Sequence, residues 1–112
     1  MNRHVSQGDL APAKLDLHGA FIRRTNLSGA SLRSANLEGA DCRGADFSFA
    51  DLTGANLKGA NLAGANLKSV NFQNAILTGT DLRGANLEGA KNLTEAQLSQ
   101  AIVNDATPSA SR

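Results

Sequence analysis

Side chains able to do chemistry are sparse in this sequence. Two histidines, His4 and His18, one cysteine, Cys42, ten acidic and eleven basic residues are spread over 112 positions. Zinc sites need Cys and His in close pairs, and no such spacing occurs, so no metal or cofactor is expected. Gly59 and Gly64 stand five apart like the glycines of a phosphate-binding loop, which needs Lys and then Ser or Thr directly after the second glycine. Ala65 and Asn66 follow instead. Asp16, Asp41, Asp46, Asp51 and Asp81 fall in one periodic column. Carboxylates working as acid and base must share a cleft. Asp in a periodic column serves more simply by bonding nearby backbone at turns. The reading is therefore non-enzymatic, with no catalytic residue.

The element that positions these residues is a five-residue repeat, fifteen copies running unbroken over residues 15–89. The centre of each copy is apolar: Leu17, Ile22, Leu27, Leu32, Leu37, Cys42, Phe47, Leu52, Leu57, Leu62, Leu67, Phe72, Leu77, Leu82 and Leu87. Two places earlier stands Ala in eleven copies, the residue between is Asp or Asn in twelve, and the last is Gly in ten. An α-helix turns about 100° per residue, so a period of five would scatter the apolar positions around its cylinder. A straight strand would send successive centres to opposite faces. The chain must bend once per copy. In Ala55-Asn56-Leu57-Lys58-Gly59 the first and third residues then face inward, and glycine supplies the backbone freedom a corner needs. If each corner turns a right angle, four copies close a coil of twenty residues, and coils stack by strand-like hydrogen bonds into an all-β parallel solenoid of about four coils. Cys42 faces its interior as an inert thiol, and a single cysteine forms no intrachain disulfide.

Ala55-Asn56-Leu57, Ala60-Asn61-Leu62 and Ala65-Asn66-Leu67, within the run 54–68, and Ala40-Asp41-Cys42 and Ala45-Asp46-Phe47, within 39–48, resemble the pentapeptide-repeat family. Its motif is Ala-(Asp/Asn)-Leu-X-X. The resemblance implies a right-handed quadrilateral parallel β-helix. It also implies an alternative activity, since some members imitate duplex DNA on DNA gyrase and protect it from quinolones. Those members are long, strongly acidic rods, whereas this chain has a formal net charge of +1.

Beyond the repeat the sequence changes character. Residues 1–14 are polar and carry Val5 and Leu10 at the same spacing, which reads as a tail or degenerate cap. No stretch resembles a signal peptide or a membrane span, so the cytoplasm is the expected compartment. After Gly89 the period fails, because Asn92 falls where a core residue belongs. Thr94 and Gln97 form a capping-box pattern. It opens an expected helix from Glu95 to Val103, with Leu98 and Ile102 one turn apart, that covers the last coil. Residues 104–112 read as a disordered tail.

Function must then lie on the walls, where residues twenty apart stack. Arg23, Arg43 and Arg83 form one outward row beside Asp41 and Asp81. The row is open to two readings: it meets phosphate or an acidic protein, or it pairs with the two aspartates. Phe21 and Ile76 replace Asp or Asn, while Arg24 and Phe49 stand where Gly is usual. An exposed aromatic anchors interfaces, unless it folds over its own corner. The expected function is a scaffold or binding module for a macromolecule, most simply a protein. DNA mimicry towards gyrase is one alternative, and binding of nucleic acid or an acidic protein through the arginine row is another. The protein is expected as a monomer or an end-to-end homodimer, with Phe21 at the joint.

Overall fold

Every copy of the repeat closes on one reverse turn in the computed structural model, which describes residues 14–104. The central residue's carbonyl accepts the N–H three residues on, as from Ala40 to Leu37 at 3.0 Å and from Ala60 to Leu57 at 2.9 Å. The fifth residue occupies the third place of that turn, and φ is positive there at all fifteen corners. This is the backbone of a type II turn, which glycine adopts without steric cost. Arg24, Ser34, Phe49, Ser69 and Asn74 take the five corners that lack glycine, at φ between 54° and 63°.

The Asp or Asn side chain before each central residue accepts the N–H two residues on, and all twelve do so. Lys58 N–H to Asn56 Oδ1 is 3.0 Å. These side chains pin the start of each corner, which accounts for the residue type in that column. Phe21, Ser31 and Ile76 are the three copies without an Asp or Asn there.

Four turns bring the chain back over itself. Of thirteen parallel bridges, twelve join residues twenty apart, from Asp16 with Asn36 to Asn71 with Lys91. Each wall contributes one bridging residue per coil, so the ladder is built from isolated bridges rather than extended strands. Its bonding has a fixed direction. The second residue of a copy uses its own N–H and C=O towards the preceding coil, as Asn56 donates to Ala35 and accepts from Leu37. Towards the following coil the first residue offers its carbonyl and the central residue its N–H, as Ala55 accepts from Ile76 and Leu57 donates to it.

The interior is a narrow shaft of alternating small and large side chains. Twelve central residues from Leu32 to Leu87 are buried, while Leu17, Ile22 and Leu27, all in the first coil, are only partly so. Thr80 replaces Ala in the small column, fully buried, with its hydroxyl donating to the Leu57 carbonyl at 2.6 Å.

At the other end Thr94 caps helix α1, Glu95–Ser99. Both capping-box bonds form: Gln97 N–H to Thr94 Oγ1 at 3.0 Å and Thr94 N–H to Gln97 Oε1 at 2.8 Å. The expected helix to Val103 is too long. The chain leaves the helix because the last coil has groups to be met: Gly79 N–H donates to Gln100 C=O at 2.8 Å, and Ile102 bridges Asp81. Leu98 is therefore buried under the cap while Ile102 lies on the wall, 46% exposed. Asn104, assigned to a tail on sequence, accepts from Gly84 N–H at 3.3 Å. The degenerate cap expected over residues 1–14 and the rest of the expected tail lie outside the described residues, Lys14 and Asn104 excepted.

Candidate functional surface

The coil has four walls, beginning in the first coil at Asp16, Phe21, Asn26 and Ser31. The second wall carries the arginine row. Arg43 grips Asp41 with both arms, Nε to Oδ1 at 2.9 Å and Nη2 to Oδ2 at 2.8 Å. Arg83 holds Asp81 the same way, at 3.0 and 2.7 Å. Arg23 reaches Asp41 more loosely, Nε to Oδ2 at 3.8 Å. Such two-pronged pairs use the geometry by which guanidinium recognises carboxylate or phosphate. The fork that a phosphate would need is already occupied in two of the three arginines. The hydrogen bonds from Arg43 hold the Asp41 carboxyl down at about 2. The Arg83 pair likewise lowers Asp81.

Corner residues carry more unusual chemistry. Arg24 lies along its corner with Cγ 3.4 Å from where a side chain on Gly44 would begin. Phe49 stands 63% exposed at a φ of 63°. Phe21 is 87% exposed on the second wall of the first coil. The two aromatics do not meet, because Phe49 turns the corner between the third and fourth walls.

Burial pushes the Cys42 thiol up to about 12, with the Asp41 charge adding to it. The thiolate that reacts is therefore not formed at neutral pH. His18 is exposed at the end of the first wall, its backbone N–H donating to Asp16 Oδ1 at 3.0 Å, and His4 lies outside the described residues. Among the described residues no group of His, Cys, Asp or Glu is placed to hold a metal ion. No helix among them is long and apolar enough to cross a membrane. A shallow groove of about 430 Å³ beside the cap is lined by Gln73, Asn74, Ala75, Asn92, Thr94 and Gln97, none of which titrates.

Sequence reasoning missed the second task of Gln97. Its Nε2 donates to the carbonyls of Phe72 at 2.9 Å and Ala75 at 3.0 Å, standing in for the strand of a further coil. The capping-box pattern located the residue, and its position over the last coil is the only further signal the sequence holds.

The repeats match the family described as pentapeptide repeats in eight copies, covering residues 14–48, 30–68, 40–79 and 65–105. The chain belongs to the pentapeptide-repeat family. Among solved structures this pentapeptide-repeat protein is similar to Rfr23 of the cyanobacterium Cyanothece 51142, with 36% identity and a TM-score of 0.67 over 81% of this chain and 61% of that one. It is also similar to a pentapeptide repeat protein from the Arabidopsis thaliana thylakoid lumen, with 32% identity and a TM-score of 0.38 over 74% and 57%. A third is HetL of Nostoc, involved in heterocyst differentiation regulation, with 30% identity and a TM-score of 0.38 over 84% and 51%. The chain thus spans between half and about three-fifths of the length of these three relatives. No curated protein matches it.

Proposed function

We propose that this pentapeptide-repeat protein is a non-enzymatic binding module, a right-handed coil whose partner is a protein that docks on the corner at Phe49. The observation that carries the reading is the conformation of that residue. A large aromatic held in left-handed backbone, where ten of the fifteen corners have glycine, costs stability and leaves its ring in water. The ring stays outside the buried core, and interface anchors are drawn from such residues. The aspartates of the walls bond the turns, and Asp41 and Asp81 are also held by arginine.

The test uses the protein as bait in a lysate of its source organism, beside Phe49→Gly and a triple variant with Arg23, Arg43 and Arg83 changed to Ser. The expected result is one protein captured by the wild type and the triple variant and lost with Phe49→Gly. Retention by Phe49→Gly removes the assignment. Loss with the arginine variant, together with binding that weakens steeply with salt, would move the site to the second wall. Inhibition of gyrase supercoiling by the purified protein would favour DNA mimicry.

A further inference from the structure

The two ends of the solenoid are finished differently. At the last coil, Gln97 Nε2 meets the carbonyls of Phe72 and Ala75, Gln100 and Ile102 pair with Gly79, Thr80 and Leu82, and Asn104 accepts from Gly84. At the first coil the corresponding groups are the N–H and C=O of Asp16, Phe21, Asn26 and Ser31, with the carbonyls of His18, Arg23, Ser28 and Arg33 beside the corners. None of them has a backbone partner among the described residues, and only the Arg23 carbonyl has a side-chain one, the Thr25 hydroxyl at 3.3 Å. Beside this edge lie the three partly buried core residues Leu17, Ile22 and Leu27, with Leu15 48% and Phe21 87% exposed.

The residue types upstream do not suit a further coil in the same register. Twenty residues before Ile22, Leu27 and Leu32 stand Asn2, Gln7 and Pro12, so a further coil in register would put two polar side chains in the dry column. The Ser31 carbonyl would need the N–H nineteen residues earlier, and Pro12 has none.

Bond direction identifies what does fit. On this edge each wall offers the N–H and the C=O of one and the same residue, which is what a hydrogen-bonded pair in an antiparallel ladder exchanges, and one further carbonyl beside the corner that such a pair leaves to water. A second copy turned over about a two-fold axis presents the same pattern running the opposite way. A head-to-tail joint would need the other end, which the cap occupies. We infer that the first-coil edge is a self-association surface, joining two copies of this chain head to head in a closed two-fold dimer with Phe21 against Phe21. An axis through the second and fourth walls sets Ser31 against Ser31 and Asp16 against Asn26 of the other copy. An axis through the first and third walls would oppose two Asp16 carboxylates. The shorter extents of the molecule, 25 and 22 Å, give a joint of about 1,100 Å² over both copies, the size of a weak, reversible association. The dimer is isologous and so stops at two.

Sedimentation of the full chain between 1 and 300 micromolar (roughly the range such a joint requires) tests this. The expected result is a monomer–dimer equilibrium, weakened at least about tenfold by Phe21→Asp, with circular dichroism and dilute-solution melting unchanged. Under mild oxidation Phe21→Cys should give a covalent dimer, because an antiparallel hydrogen-bonded pair sets its Cα atoms about 5.5 Å apart, within disulfide reach. Phe49→Cys should not. A monomer at every concentration, the result if residues 1–13 cover the edge in cis, overturns the inference. So does a dimer that ignores Phe21→Asp, or one that fails to cross-link through Phe21→Cys.

Discussion

At single residues, the repeat converts composition into conformation with little freedom left over. Phe49 is the departure with a measurable cost, since a side chain in left-handed backbone loses about 1 to 2 kcal/mol relative to the right-handed region and glycine does not. Phe49→Gly is therefore expected to raise the melting temperature, by about 1 kcal/mol in stability after the entropy glycine loses on folding, while removing the proposed partner's anchor. Calorimetry beside the capture experiment would separate the two effects. Asp41 is one of four aspartates, with Asp46, Asp51 and Asp81, whose carboxyl is held below its ordinary range. Arg43 holds its folded pKa at about 2, below the usual 3.8. The stability this adds is whole above 3.8 and disappears as pH falls through 2. Asp41→Asn keeps an oxygen for the turn but loses the charge, so the wild type's melting temperature should fall towards that of the variant between about pH 4 and 2. Denaturation curves that keep a constant separation across the window would remove Asp41 from this role.

At the level of elements, the C-terminal cap meets the Phe72 and Ala75 carbonyls through one amide, that of Gln97. Gln97→Leu leaves the Ala75 carbonyl without its only bond among the described residues and is expected to cost about 1 to 3 kcal/mol. Gln97→Glu keeps the acceptor for Thr94 N–H but sets carboxylate oxygen against two carbonyls. It should be worse than Leu at neutral pH and recover part of the loss as acid protonates it, as urea unfolding at two pH values would reveal. The cap also marks where the sequence stopped being legible. A spacing of five, the Ala column and the Asp or Asn column place a bend, a dry column and a turn-bonding side chain in every copy, so core and corner follow from residue types. Four-sided closure needs the corner angle, and its hand comes from the family resemblance. Leu98 and Ile102 are four apart, which suits one helical face, but Ile102 is drawn instead to Asp81. That choice depends on which carbonyls and N–H groups the last coil leaves open. The surface was legible only as residue types. Sequence placed Arg23, Arg43 and Arg83 in one row with Asp41 and Asp81 beside them, but whether arginine grips its own aspartate or faces solvent turns on side-chain rotamers.

Across the whole molecule, stability passes from coil to coil, because each coil bonds mainly to the one before and the one after. The middle coils have a neighbour on both sides, the last has its cap, and the first is bonded on one side only among the described residues. Amide exchange should follow this order. In dilute solution the N–H groups of Phe21, Asn26 and Ser31, unbonded among the described residues, are expected to exchange far faster than those of Asp41, Asp46 and Asp51 directly above them, which donate to Ala20, Thr25 and Ala30 at 2.8 to 2.9 Å. A uniform solenoid closed at both ends would show no such step. The same three amides distinguish an open edge from a joined one, since an antiparallel joint gives each of them a carbonyl. Raising the concentration should therefore slow exchange at Phe21, Asn26 and Ser31 and leave Asp41, Asp46 and Asp51 as they were. Protection of the first three that is already complete at the lowest concentration would mean that their partners come from within the same chain.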